Sequence, residues 1–334
     1  MQDTIVIAPD KFKGSLTATE AAHAIERGVR QAKPQARCEL CPMADGGEGT
    51  VDVFLERGAE RNVARVHGPR GALVDAVYAR TGETAILEMS SASGLGLLDR
   101  SQYDPTKTTT YGTGELIRAA LDGGANRVVM GIGGSATNDT SSGMLRALGV
   151  RFLDASGTNI EGNILAFARL ESIEIDGLDA RIAQTTIEVA VDVDNPLYGP
   201  DGATHTFAEQ KGGTPEQIAR LEEVLRHVAG VSARTLGRDE SNVPGAGAAG
   251  GLGFGLVAFL GATLLPGVRL IARECGLDEL LDGATLCLTG EGKIDLQTLH
   301  GKTVYGVAQI ARDHNVPTIA FGGTVDKDAK HRLA

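Results

Sequence analysis

Tryptophan is absent from this 334-residue chain, and aromatic residues make up only 4 % of it. Readers of single-stranded nucleic acid stack bases on aromatic platforms, so that mode of recognition has little to work with here. Positive charge is also short. There are 32 lysines and arginines against 43 aspartates and glutamates, a net charge of −11. A phosphate backbone or an anionic membrane surface would be repelled, so neither is the expected partner. No apolar run is long enough to span a bilayer and no secretory leader is recognisable, which makes cytoplasm the expected compartment. The four cysteines are Cys38, Cys41, Cys275 and Cys287. Cys38 and Cys41 have CxxC spacing, but they lie in a strand-like segment rather than at a helix start, and no second pair answers them. They read as buried thiols. The seven histidines show no metal-ligand spacing. Gly301-Lys302-Thr303 has the tail of a Walker A loop, yet Leu296 stands where its first glycine belongs. No GxSxG elbow occurs, so acyl transfer lacks a nucleophile.

What the chain has in excess is glycine: 45 residues, about 13 % against a usual ~7 %. The glycines cluster where apolar runs end, which points to binding loops built from backbone. The most suggestive stretch is Arg127–Gly149. A short β-branched run, Arg127–Met130, feeds Gly131-Ile-Gly133-Gly134-Ser135. Asn138, Asp139 and Thr140 follow, each able to cap a helix. Strand, glycine turn and helix start would aim backbone N–H groups at an anion, with phosphate the usual guest.

The length allows two domains. Thr4–Ala8 reads as a buried parallel strand, with Pro9–Ser15 as the loop at its end. Thr17 and Glu20 form a capping box, and Ala21, Ala22, Ile25 and Val29 make the inward stripe of the helix that follows. Cys38–Met43 is a second strand, ending in Asp45-Gly46-Gly47-Glu48. Two such units indicate a doubly wound sheet whose ligands lie beyond the carboxyl ends of its strands. Val63–Val66, Val74–Tyr78 and Thr84–Met89 carry turn signals and no helices between them, so antiparallel pairing is expected there. Ile187–Val193 reads as a strand ending in Asp192, Asp194 and Asn195. Residues 256–265 continue as an apolar helix, and Thr285–Thr289 and Pro317–Phe321 return to buried strands. Thr214, Pro215 and Gln217 open another capped helix. Gly245–Gly253 satisfies GxGxxG, but no strand precedes it and the dinucleotide fingerprint fails in context. Glycine and hydroxyl loops, the lysines Lys11, Lys13, Lys211 and Lys293, and carboxylates at strand ends together suit phosphoryl transfer, where an enzyme mainly positions groups and neutralises charge.

The blocks APDKFKGSL, ADGGEGTV, TTTYGTGEL, GIGGSATND, DVDNPLYGP, QKGGTPEQ, GAGAAGGLGFG and TGEGKID run in order from residue 8 to about residue 325. As a set they resemble the signature blocks of the bacterial glycerate kinases of type I. The resemblance implies two unlike α/β domains: a flavodoxin-like, doubly wound parallel sheet built from both chain ends, expected over 1–67 and 285–334, and an inserted mixed-sheet domain over 68–284. It implies an active site between them, and phosphorylation of D-glycerate by ATP with Mg²⁺ to give 2-phosphoglycerate. The chain departs from the family at Thr140-Ser141-Ser142, usually Gly-Gly-Ala, at Leu296, usually Ser, and at Thr303-Val304, usually Val-Pro. The family also continues through another strand and helix beyond Ala334. The parallel domain is therefore expected to be C-terminally shortened, to leave an edge strand unprotected, and to be less stable or prone to associate.

On this reading, ATP and substrate meet Asp10, Lys11, Ser15, Asp45, Gly46, Gly47, Glu48, Ser90, Ser91, Thr113, Gly133, Gly134, Ser135, Asn138, Asp139, Lys211 and Glu291. Lys13 joins Asp192 and Asp295 as a catalytic candidate. The candidates for the base that takes the hydroxyl proton are Asp10, Asp45, Asp192, Asp194 and Asp295; Asp192, expected to be held firmly and partly desolvated at a strand end, is the first choice, with Asp295 as the alternative. Asp192 and Asp194 are the expected Mg²⁺ ligands. Two rival readings stand beside this one. The first is an NAD-dependent dehydrogenase using Gly131-x-Gly133-x-x-Ala136, with Asp154 on the ribose. The second is a nucleotide-binding module without activity.

Overall fold

The computed structural model describes residues 3–296, 298 and 302–326. Twelve strands occur among them: β1 Thr4–Ile7, β2 Arg37–Leu40, β3 Glu60–His67, β4 Leu73–Thr81, β5 Thr84–Glu88, β6 Arg127–Gly131, β7 Arg151–Asp154, β8 Leu170–Glu174, β9 Thr186–Ala190, β10 Thr263–Leu265, β11 Leu286–Ile294 and β12 Thr318–Val325. The chain divides into two compact units, one of Met1–Ala59 with Leu265–Ala334 and one of Glu60–Leu264.

In the first unit four parallel strands stand in the order β12-β11-β1-β2. Counted within the unit this is 2-1-3-4 from the β2 side, the flavodoxin-like order, which puts the topological switch point between β1 and β11. The apolar run of β1 is buried on both faces, with Ile5, Val6 and Ile7 almost wholly covered. The helix Ala18–Ala32 starts at Thr17 with both halves of the capping box formed, and lays Ala21 and Ala22 inward. The helix Thr303–Asp313 buries Val304, Val307, Ile310 and Ala311. Cys41, Cys275 and Cys287 are buried thiols, and burial pushes Cys287 up to about 12, far from thiolate reactivity.

In the second unit six strands run β10-β9-β6-β5-β4-β3. β3, β4 and β5 form an antiparallel meander, while β5, β6 and β9 are parallel. The alternation in β3, with Ala64 and Val66 buried between exposed neighbours, is that of a strand covered on one face. β7 and β8 make a separate antiparallel pair. The helix Pro215–Leu236 begins at the expected Thr214–Gln217 capping box and buries Leu221, Val224, Leu225 and Val228. The helix Tyr111–Asp122 does the same with Leu116, Ile117, Ala120 and Leu121.

Several sequence expectations shift. The first passage between units falls at Ala59/Glu60 rather than after residue 67, because Glu60–His67 pairs with β4 along its whole length. The second falls at Leu264/Leu265 rather than at residue 284, because the helices Gly267–Glu274 and Leu277–Leu281 pack with the Thr303–Asp313 helix. The apolar run 256–265 is not one helix. Gly261 at φ 67° ends the helix Ala248–Leu260, and Thr263–Leu265 becomes β10. The run Ile187–Val193 leaves the sheet at Ala190, and β11 continues to Ile294, well past Thr289.

Candidate active site

The first unit gathers carboxylates at its switch point. The parallel ladder continues past β1, with Ala8 N donating to Leu288 O at 2.7 Å and Asp10 N to Gly290 O at 2.8 Å. Asp10 is thereby held at the end of the sheet, only 6 % exposed. One carboxylate oxygen accepts Lys11 N at 2.6 Å, and the other accepts the hydroxyl of Thr303 at the start of its helix. Burial raises the Asp10 pKa above the ordinary carboxylate value, and the charge of Asp45 raises it further against the opposing Lys11. Glu291, on β11, is also buried and accepts Thr298 Oγ1 at 2.6 Å. Its pKa is likewise raised, first by burial, with Asp10 and Asp295 adding to it. Asp295 pairs with Lys293 at 3.1 Å and Lys302 at 4.0 Å. Asp45 closes a turn on Gly47 N at 2.9 Å. Lys11 Nζ donates to the carbonyl of Glu48. Lys13, Ser15 and Glu48 are exposed. A cavity of about 550 Å³ is walled by the loop after β1, the start of the first helix, the loop after β2 and the helix Thr50–Glu56. Gly301 lies outside the described residues.

The second unit places its glycine loop where β6 ends. Gly133 and Gly134 are exposed, and Ser135 is nearly buried. The loop is tied to the segment after β5: Leu95 N donates to Gly134 O at 2.9 Å, and Ala136 N to Ser93 O at 2.9 Å. Ser90 and Ser91 bond back to Glu88, at 3.2 and 2.7 Å. A helix does not follow the glycines directly. It spans only Ser142–Ala147, so the expected strand, turn and helix start is a longer loop instead. Thr140 and Ser141 stand at φ 49° and 60°, the left-handed region where glycine costs least.

Thr113, Asn138, Asp139 and Lys211, expected as ligand contacts, lie inside the unit. Thr113 Oγ1 donates to Ser93 Oγ at 2.8 Å. Asp139 Oδ2 accepts Thr110 N, Thr110 Oγ1 and Gly143 N at 2.8, 3.0 and 3.2 Å. Burial nonetheless raises its pKa. Lys211 is 2 % exposed and donates to Thr137 O at 2.7 Å. Burial outweighs the charge of Asp139 and lowers its pKa to about 7. These groups brace the loop from beneath. Gly250, at φ 69°, lets a neighbouring turn touch the same carbonyl; a Cβ there would lie 2.1 Å from Thr137 O.

Asp192 and Asp194 follow β9 and are exposed. The partly desolvated setting expected of Asp192 is not found, because its strand has already ended and the residue is exposed. Asp154, the ribose candidate of the dehydrogenase reading, closes its own turn by accepting Ser156 N, Ser156 Oγ and Thr158 N. Among the described residues no group of three His, Cys, Asp or Glu is placed to hold a metal. Sequence reasoning missed Thr303 and Thr298 as partners of the buried carboxylates, and Thr110 and Thr137 as partners of Asp139 and Lys211. Their one signal was hydroxyl residues beside glycine loops.

The sequence pattern of the glycerate kinase family matches residues 5–334. A glycerate kinase of Halalkalibacterium halodurans is 47 % identical over 326 residues, covering 97 % of this chain and 86 % of the relative. The glycerate 2-kinase of Escherichia coli K12 is 46 % identical over 328 residues, again covering 97 % and 86 %. A crystal structure from Salmonella typhimurium LT2, of a protein assigned as glycerate kinase 2, superposes with a TM-score of 0.91 at 44 % identity. That match covers 99 % of this chain and 94 % of the other.

Proposed function

The chain belongs to the glycerate kinase family, and on that footing we propose that it transfers the γ-phosphoryl group of ATP to D-glycerate, giving 2-phosphoglycerate and ADP. The observation that carries this reading is the likeness to the E. coli glycerate 2-kinase at 46 % identity over 97 % of the chain. The chemistry asks for little beyond positioning and neutralisation of charge. The loop Gly131–Ser135, with exposed Gly133 and Gly134 and the hydroxyls of Ser90 and Ser135 beside it, suits the phosphates of ATP. Asn138, Asp139, Thr113 and Lys211 hold that loop in shape rather than touch the ligand.

Mg²⁺ keeps most of its water and binds through one or two carboxylates plus phosphate oxygens, so it does not need a full cage of protein ligands. The exposed pair Asp192 and Asp194 suits that demand, and these two residues would hold the ion. When bound, Mg²⁺ would neutralise charge on the transferring phosphoryl group. Asp10, Asp45, Glu291 and Asp295 orient polar groups in the first unit, with Lys11 and Lys13 as the nearby cations.

Release of ADP with and without D-glycerate tests the reading, and phosphorus NMR of the product assigns the phosphorylated hydroxyl. ADP release that depends on glycerate, with the phosphate on the 2-oxygen, is expected. ATP turnover indifferent to glycerate would overturn it.

A further inference from the structure

The cavity of about 550 Å³ in the first unit has a distinctive charge balance, with five carboxylates against two lysines, Lys11 and Lys13. A triphosphate entering it would meet an excess of like charge. A small monoanion carrying hydroxyl groups would find one cation and many hydrogen-bond acceptors. Lys11 is engaged with the Glu48 carbonyl. Lys13 is exposed and makes no hydrogen bond or ion pair among the described residues, so its ammonium remains available. Asp10 is the buried carboxylate of the lining, fixed on one oxygen by Lys11 N and on the other by the Thr303 hydroxyl.

We propose that this cavity is the glycerate pocket, with Lys13 as the counter-ion of the substrate carboxylate and Asp10 as the acceptor of the reacting hydroxyl's proton. The assignment rests on the kinase reading. In the step, the O–H bond of the 2-hydroxyl breaks and its proton passes to an Asp10 carboxylate oxygen. The freed electron pair forms the new O–P bond. The bond from the γ-phosphorus to the β,γ-bridging oxygen breaks, and ADP departs with that pair. Burial and the neighbouring Asp45 hold Asp10 above the ordinary carboxylate range, toward the pKa a base needs, while Lys11 opposes them. Asp10 in turn helps to raise the pKa of the buried Glu291 on β11. Asp192, by contrast, is exposed.

Steady-state kinetics on the full chain test the assignment. Lys13→Ala should raise KM for D-glycerate about tenfold or more and leave KM for ATP within about twofold. Asp10→Asn should lower kcat by roughly 10²–10⁴ and remove the acid limb of kcat against pH, with both KM values little changed. Circular dichroism and urea unfolding of the variant, compared with wild type, show whether it is folded. If Asp10→Asn does not fold, exposed Lys13 decides the matter alone. A Lys13→Ala enzyme whose KM rises for ATP instead of glycerate, or for neither, overturns the proposal. So does a folded Asp10→Asn enzyme within about threefold of wild-type kcat. A wild-type chain with no glycerate-dependent ADP release would instead sink the kinase reading itself, so the two failures are distinguishable.

Discussion

Replacing Lys211 by methionine should change how stability depends on pH. Lys211 is 2 % exposed, and its one hydrogen bond given by the structure runs to Thr137 O at 2.7 Å. Desolvation brings its pKa from 10.5 to about 7 in the folded protein, with Asp139 the facing charge that works against the fall. That difference corresponds to about 5 kcal/mol of cost when the group is forced to stay charged. The pKa is lowered on folding, so the unfolded chain holds one more proton than the native one between about pH 7 and 10.5. Stability therefore climbs across that window, by about 1.4 kcal/mol per pH unit, and below it the full cost is present. Lys211→Met removes the slope but leaves the Thr137 carbonyl without its donor, a loss of about 1–3 kcal/mol. The variant should thus be the more stable protein near pH 6.5, by about 2–4 kcal/mol, and lose that advantage near pH 9.5. Urea midpoints followed by circular dichroism at several pH values would measure it, fitting the transition that the substitution moves, because the two units can unfold separately. A difference between variant and wild type that stays constant from pH 6.5 to 9.5 would refute the reasoning.

Three further outcomes follow from local geometry. A Cβ at Gly255 would lie 1.6 Å from Ser141 Oγ, and apart from Ser141 the nearest atom is Leu145 Cδ1 at 3.7 Å. Gly255→Ala should therefore cost about 2–3 kcal/mol in the wild type and much less in a Ser141→Gly background, a coupling readable in a double-mutant cycle. Gly28, inside the helix Ala18–Ala32, has nothing within 4 Å of its would-be Cβ, whereas at Gly112 that atom would sit 1.8 Å from His67 O. Gly28→Ala should raise stability by about 0.5–1 kcal/mol and Gly112→Ala should lower it by about 3 kcal/mol, both measurable by denaturant titration. Asp192→Asn should raise the Mg²⁺ concentration for half-maximal activity about tenfold and leave KM for glycerate unchanged. An unaltered Mg²⁺ requirement would remove Asp192 from the metal site.

The elements that announced themselves did so through local chemistry. Thr17 with Glu20, and Thr214 with Pro215 and Gln217, carry the start of a helix in their own side chains, and both capping boxes form as read. The doubly wound layer was legible because Thr4–Ala8 and Cys38–Met43 each end in a polar glycine loop. Boundaries that depend on a partner were not legible. Glu60–His67 has the pattern of a half-covered strand that either unit could have used, and only its pairing with Leu73–Arg80 assigns it to the second. The run 256–265 is apolar throughout, and only the left-handed turn at Gly261 divides it into helix and strand.

The candidate site divides along the same line. Asp192 looked firmly placed because IEVAVDV is apolar to its end, yet a strand lasts only as long as its neighbour supplies a ladder. Ala190 pairs with Gly131, the last residue of β6, and beyond Gly131 the neighbouring chain turns away into the glycine loop. The glycine cluster read from sequence as a phosphate loop also limits how far β9 can pair, and Asp192 beyond its end is exposed. Asp10 shows the converse. Nothing beside it in sequence buries it, since Lys11 and Lys13 suggest an open, solvated loop. Its depth comes from Gly290 and Thr303, near the far end of the chain, which close over it only when β1 pairs with β11 and the Thr303–Asp313 helix seats itself. A carboxylate's protonation behaviour is set by who surrounds it rather than by what precedes it. The glycine loops could therefore be read from sequence, while the burial that sets Asp10 apart from the other aspartates could not, because it is made by the sheet.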